Sequence, residues 1–330
     1  MLFSDLSRRQ VLQTCVASLG LSAMGASHAQ AWPSKPIRLV LPSGAGGGAD
    51  LFGRPMADFL SKELGVPLVV ENKPGANGIV AHEAVVRQPP DGYSLLVSYP
   101  AAMLGNRLLQ PKMSHDTLLD LKPIAKIGGG GGNLLVCHPD FPARNVKEMV
   151  AYVKTQEGGL NYGSWGIASG GHLAMELVKN MAGIKLNHVP YKTVAQIPPD
   201  LLSGVLMVSS IDSGTPIALI KAGRLRALAA LSTKRLPQLL DVPTLSEQGI
   251  PFEVETWYGV FGPAGLPNDI VVRLNGLLNR WMVTPEVAAL FEQKQNSPAP
   301  VPLPASELSA WLPRELAVWQ KLVTDSKVTL

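Results

Sequence analysis

The chain alternates short apolar runs with longer stretches in which apolar residues recur every three or four positions. Ile37, Leu39, Val40 and Leu41 form the first run, the length of a buried strand. Leu51, Met56, Phe59, Leu60 and Leu64 follow at helical spacing. Residues 67–71 predict a second strand, 79–87 a helix and 93–97 a third strand, with turn residues at 72–78 and 89–92. The alternation of strand and helix predicts a parallel α/β sheet.

The second half repeats the pattern. Residues 134–137 and 225–230 read as strands, 189–192 as the end of another, and 146–154 and 172–181 as helices. A glycine- and serine-rich loop at 161–171 leads into the second of these helices. Residues 260–267 punctuate a third region, and 270–281 and 307–323 read as closing helices, with Pro285 and the proline-rich 298–302 between them. Five consecutive glycines at 128–132 separate the halves. They predict a flexible crossing or a loose surface loop, because glycine does not stabilise a sheet interior. At 330 residues the chain exceeds a usual single domain, so two lobes are expected.

The first 31 residues read as an export signal. Ser7-Arg8-Arg9-Gln10-Val11-Leu12 is a twin-arginine pattern, a mostly apolar run follows, and Ala29-Gln30-Ala31 is a cleavage site before Trp32. Val11 and Gln13 stand where the Tat motif usually has Phe and Lys, so the Tat and Sec routes both stay open. No later stretch is long and apolar enough to span a bilayer, which predicts a soluble protein outside the cytoplasm. Cys137 is then the only cysteine, and no intrachain disulfide can form. The net charge is +4, lowered by one when Arg8, Arg9 and Asp5 leave with the signal. The basic residues are scattered, which argues against nucleic acid and suits a small anionic ligand.

The stretch between the first strand and its helix holds the clearest chemistry. Ser43, Gly44, Ala45, Gly46, Gly47, Gly48, Ala49 and Asp50 carry almost no side chain. A strand, a glycine loop and a helix start together make an anion site, since the first helical N–H groups lack internal partners. A tight strand–helix turn is the plainer alternative. Catalytic constellations are missing: there is no nucleophile elbow, no Walker A loop, and no metal spacing among His82, His115, His138, His172 and His188. One enzyme-like match remains. Gly44-x-Gly46-x-x-Ala49 fits a dinucleotide fingerprint, with Glu71 at the distance of a ribose ligand, and an exported NAD(P)-dependent oxidoreductase is the rival it supports.

Several motifs coincide in order along the mature chain. They are Trp32-Pro33-Ser34-Lys35-Pro36-Ile37-Arg38, the 46–50 loop, Val70-Glu71-Asn72-Lys73-Pro74-Gly75, Pro90-Asp91-Gly92-Tyr93, Asn161-Tyr162-Gly163-Ser164, His188-Val189-Pro190-Tyr191-Lys192, Asp241-Val242-Pro243-Thr244 and Gly262-Pro263-Ala264-Gly265. With these the chain resembles the tripartite tricarboxylate transporter solute receptors, the Bug family. The resemblance implies an α/β periplasmic binding protein of the type II, Venus-flytrap kind, each lobe a mainly parallel sheet flanked by helices. Residues 32–131 plus 254–330 would form lobe 1 and 132–253 lobe 2. The implied receptor is not an enzyme and carries no cofactor. It is a monomer that closes on a small carboxylate and passes it to membrane transporter subunits, or alternatively docks a sensor-kinase ectodomain.

The resemblance places the ligand between two helix N-termini. It assigns contacts to Ser43, Gly44, Ala45, Gly46, Gly47, Gly48, Asp50, Tyr99, Ala101, Ser164, Trp165, Ser169, Tyr191, Lys192, Thr193 and Asp212. Asp50 has the wrong sign for an anion site; capping its helix, holding a water or meeting a ligand amino group are its open roles. Thr193 stands where the family usually has Gly, Trp165 where a small residue is common, and Gly204-Val205-Leu206-Met207 replaces a Gly-Gln-Val-Asp segment. With Ala101 and Ala102, these changes predict a cleft too apolar for citrate. They favour a mono- or dicarboxylate with an apolar or aromatic body, since each buried charge needs its own donors.

Overall fold

Among the described residues, ten strands form two five-stranded sheets, each of which draws one interior strand from outside its own βα run. In a computed structural model, residues 32–294 and 296–329 are described. The export signal expected over residues 1–31 lies outside them. All that follows concerns the compact unit Lys35–Leu330.

The first sheet contains β1 (Ile37–Leu41), β2 (Leu68–Asn72), β3 (Ser94–Ser98), β4 (Leu121–Gly131) and β10 (Thr256–Pro263), in the order β2-β1-β3-β10-β4. The second contains β5 (Asn133–Cys137), β6 (Leu160–Ser164), β7 (Leu186–Pro190), β8 (Val208–Asp212) and β9 (Arg226–Leu231), in the order β7-β6-β8-β5-β9. The pairings run parallel, parallel, antiparallel, antiparallel in both. The sheets are therefore mixed, where the sequence led us to expect mainly parallel ones. The chain enters the second sheet through β5 and returns to the first through β10, and each arrival is antiparallel to its neighbours. Two β-sheet bodies joined by these crossings make a two-lobed α/β fold.

The glycine run differs from expectation. β4 extends through Gly131, which pairs with Thr256 of β10, while Ile127 pairs with Tyr258; the glycines between form a bulge in the sheet edge and not a loose loop. Pairing to β10 on both sides of this bulge supplies what absent side chains cannot. Glycine is required here for approach: a Cβ on Gly128 (φ +70°) would lie 2.6 Å from the Phe291 ring, and one on Gly132 would lie 2.5 Å from Ser232 Cβ.

The helices are α1 (Gly48–Leu64), α2 (Ile79–Val86), α3 (Asn106–Leu109, after a π-turn at Ala101–Gly105), α4 (Val146–Lys154), α5 (Gly170–Ala182), α6 (Ile197–Leu202), α7 (Ile217–Lys221), α8 (Asn268–Met282), α9 (Pro285–Lys294) and α10 (Leu308–Ser326). α1 buries Phe52, Met56, Ala57 and Leu60 and ends at Gly65 in the left-handed region. α10 lies across both lobes. It packs on α5 and on β4, the Trp257 indole donates to Glu315, and Asn180 donates to the Ser326 carbonyl.

Candidate functional site

Between the lobes lies a cavity of about 460 Å³. The first lobe contributes Pro42, the glycine loop up to Ala49, Pro74 to Asn77, and Tyr99 to Ala101. The second contributes Asn133, Trp165, Gly170, Lys192 to Ala195, Asp212 and Thr215. Leu231, Phe252, Val254, Glu255, Thr256 and Tyr258 line it near the crossings, and Trp319 reaches it from α10.

The glycine loop is wound against itself. The Gly47 amide donates to the Gly44 carbonyl, and Gly46 takes φ +76°, a conformation that favours glycine. Gly47 is the N-cap of α1 and makes no side-chain cap hydrogen bond. The Asp50 and Leu51 amides turn back onto the Gly47 carbonyl, so this helix start meets the cavity as bare backbone with no capping side chain. Beside it, Ser43 Oγ is buried with no hydrogen-bond partner. The matching end of α5 is built differently: Ser169 is the N-cap and its hydroxyl accepts from the His172 amide. Trp165 lies over this first turn, close enough that a Cβ on Gly171 would be 2.7 Å from its ring. The two helix ends expected to share the ligand are therefore unequal.

Ser43, Gly44, Ala45, Gly46, Gly47, Gly48, Tyr99, Ala101, Trp165, Lys192, Thr193 and Asp212 all line the cavity. Asp50, Ser164, Ser169 and Tyr191 are not among its lining residues, and each is engaged by the protein itself. Asp50 accepts from the Gly46 amide, Arg54 and Asn72. Burial pushes its carboxyl up, but the hydrogen bonds from Arg54, Gly46 and Asn72 outweigh this and hold it below the ordinary range. It clamps the loop. Ser164 hydrogen-bonds His188 Nε2 at 2.7 Å, Ser169 donates to Ser164, and the Tyr191 hydroxyl donates to Asp200. Ala102 is fully buried and Met207, like Ala102, stands outside the cavity lining.

Lys192 is the cation of the cavity wall among the described residues; Asp212 and Glu255 are its acids. Asp212 accepts from the Gly214 and Thr215 amides and from the Thr215 hydroxyl. Burial raises its carboxyl above the ordinary value despite these donors. Sequence reasoning did not find Asn77, Asn133, Tyr258 or Trp319. Asn77 sits in a loop the turn residues had marked, but Tyr258 and Trp319 carry no local signal. Glu71, expected opposite a ribose in the rival reading, is instead paired with Arg38 at 2.7 Å and Lys73 at 3.7 Å.

A two-lobed α/β body around a cavity, with the glycine start of a helix on its wall, fits a solute-binding protein. The model of the tripartite tricarboxylate transporter family receptor matches residues 52–325, and the chain belongs to that family. It is 30% identical to the protein BugT of Bordetella pertussis over 97% of each chain. Among solved structures it is similar to R. palustris Rpa4515 with adipate, at 29% identity and a TM-score of 0.82, covering 90% of this chain and 99% of that one. It is likewise similar to MatC from Rhodopseudomonas palustris with bound malate, at 25% identity and a TM-score of 0.78, covering 88% and 100%.

Proposed function

We propose that this protein is a periplasmic receptor that binds a small carboxylate in the interlobe cavity and delivers it to the membrane subunits of a tripartite tricarboxylate-type transporter. The observation that carries the reading is the glycine start of α1 on the cavity wall, which presents backbone and no side chain there, beside the unpaired Ser43 hydroxyl. Membership of the receptor family supports it, as do the adipate and malate bound by the two related proteins. No helix of the described residues is long and apolar enough to cross a membrane, which is compatible with a receptor exported free of the bilayer. The lobes we assign are 32–131 with 254–330, and 132–253.

Binding without catalysis is the companion reading. Among the described residues Ser98 pairs with His82 and Ser164 with His188, and both serines are fully buried; a third pair, Ser114 with His115, stands outside the cavity lining, and its hydroxyl donates to Glu83. Tyr99, Trp165, Tyr258 and Trp319 give the wall an aromatic character, and Lys192 is its cation. We assign the ligand as a mono- or dicarboxylate with an apolar or aromatic body that lies against Trp165. Titration calorimetry against citrate, succinate, adipate and benzoate tests this, with citrate expected to bind most weakly. A preference for citrate would overturn the ligand assignment. Binding of NAD(H) with no response to any carboxylate would overturn the receptor itself.

A further inference from the structure

Asn77 joins the two lobes beside the cavity, and its amide is oversubscribed. Its Nδ2 faces three acceptors: Asn106 Oδ1 at 3.1 Å, the Ala101 carbonyl at 3.4 Å and the Ala168 carbonyl at 3.4 Å. Asn106 and Ala101 belong to the first lobe, whereas Ala168 stands in the loop before α5 in the second. An amide has two N–H hydrogens, so three acceptors cannot all be fully served. The Tyr99 hydroxyl donates to Asn77 Oδ1 at 3.2 Å, which fixes the amide with its donors toward Asn106, Ala101 and Ala168. Asn106 holds the Asn77 backbone carbonyl at 2.9 Å.

Both sides of this contact hold unusual backbone. Ala76 and Asn77 have φ +45° and +49°, and Ala168 has φ +61°. Asparagine tolerates that region, but alanine rarely adopts it and persists there only where surrounding contacts impose it. The Ala168 carbonyl is pressed onto the first lobe, since a Cβ on Gly105 would be 3.3 Å from it. Ala76 and Asn77 line the cavity.

We propose that Asn77 is an interlobe latch: its side-chain amide, held by Tyr99, grips the Ala168 carbonyl and holds the lobes together. It is a positioning residue. The latch gains its purpose from the receptor reading, on which it rests, because a site assembled from two lobes binds only when they meet. The long, shared hydrogen bonds make the grip weak, so opening for entry and exit stays easy. A binding-competent state that is only partly populated lowers the apparent affinity by that fraction.

The test needs no ligand. Spin labels on Lys62→Cys in α1 and Lys154→Cys in α4, both exposed positions, report the interlobe distance, and the buried native Cys137 is protected from labelling. Asn77→Gly keeps the left-handed backbone and removes the amide; Asn77→Asp keeps the acceptor for Tyr99 and removes the donors. Both should raise the ratio of open to closed molecules about fivefold, the effect of one net hydrogen bond. Ala168→Gly retains the carbonyl and relieves its backbone, so it should not raise the ratio. Wild-type distances in both Asn77 variants, with melting temperatures that show them folded, would overturn the latch. A wild type that binds none of the four carboxylates would overturn the receptor reading and leave the latch standing.

Discussion

The rings of His172 and His188 are stacked, with centroids 4.0 Å apart and planes 16° from parallel, directly behind the loop that leads into α5. Tyr162 stacks on the far face of His188 at 5.0 Å, and its hydroxyl donates to Glu176. His172 Nδ1 accepts from the Ala168 amide, and His188 Nε2 pairs with the Ser164 hydroxyl. The stack is a polar support for one wall of the cavity, and it is built for neutral imidazoles.

That arrangement predicts acid sensitivity. Burial, then the neighbouring His172 and Lys179, push His188 down to about 3, and burial with His115 pushes His82 down to about 3. Both groups take up a proton near 6.5 once unfolded. The unfolded chain therefore binds more protons below pH 6.5, and stability falls as the pH drops from there toward 3. At pH 5 each histidine should remove roughly 2 kcal/mol. Denaturant unfolding at pH 7, 6 and 5 measures this, and a flat profile would contradict it.

The glycine loop supports two contrasting substitutions. At Gly47 the backbone is extended in ψ with φ −75°, so a side chain is not strained there, but its Cβ would lie 3.0 Å from Ser43 Cβ and 3.1 Å from the Gly44 carbonyl. At Gly46 a Cβ meets nothing within 4 Å, but φ is +76°. Gly47→Val should abolish ligand binding by crowding the helix start, with little change in ligand-free melting because the loop is outside the core. Gly46→Val should cost stability by about 1–3 kcal/mol through backbone strain. Ligand at about a hundred times its dissociation constant stabilises wild type by roughly 2.7 kcal/mol, and that gain should vanish in Gly47→Val. Retained stabilisation by ligand would mean that the loop is only a turn.

Lys192 is exposed, and its neighbours Thr193 and Gln196 fix the backbone through a capping box. A cation on such a rim contributes modestly and is screened by salt. Lys192→Gln should weaken binding of succinate or adipate by about two- to fivefold at low salt. The difference from wild type should shrink as salt is raised. Equal salt slopes in calorimetry would remove Lys192 from the site.

The glycine loop was legible because its signal is local: a backbone without side chains between a strand and a helix. The helices at 146–154 and 270–281 were legible for the same reason, through their apolar spacing. β8 was not, because Ser209 and Ser210 interrupt its apolar run; Ser209 is buried at no cost to its hydroxyl, which donates to the Gly163 carbonyl. α9 was hidden by Pro285, which reads as a breaker yet is tolerated in a first helical turn. Asp50, Ser164, Ser169 and Tyr191 had the residue types of ligand contacts. Their partners, Arg54 and Asn72, His188, the His172 amide and Asp200, come from register and packing that no single stretch of sequence displays. Trp319 reaches the cavity from the far end of the chain, in a helix whose pattern only announces a buried face.

The last prediction concerns the glycine run, which the sequence presented as slack and the fold uses as contact. Gly128 lies in β4 with φ +70°, and the Phe291 ring of α9 occupies the place of its absent side chain. Phe291 in turn packs on Phe52 of α1, with ring centroids 5.9 Å apart, and Phe52 on Tyr258 at 4.5 Å. A substitution at Gly128 thus pushes on a chain of rings that ends at the cavity wall. Gly128→Val combines a disfavoured backbone with overpacking, which together should cost about 2–6 kcal/mol. Phe291→Ala relieves the clash but opens a cavity, at about 3–5 kcal/mol on its own. Because the two sites touch, the double variant should be more stable than the sum of the separate losses implies. Chemical denaturation of the four proteins in the cycle measures the coupling. Additive losses would show that the glycine run is free of Phe291 in solution, and a nearly unchanged Gly128→Val would restore the flexible crossing that the five glycines suggest.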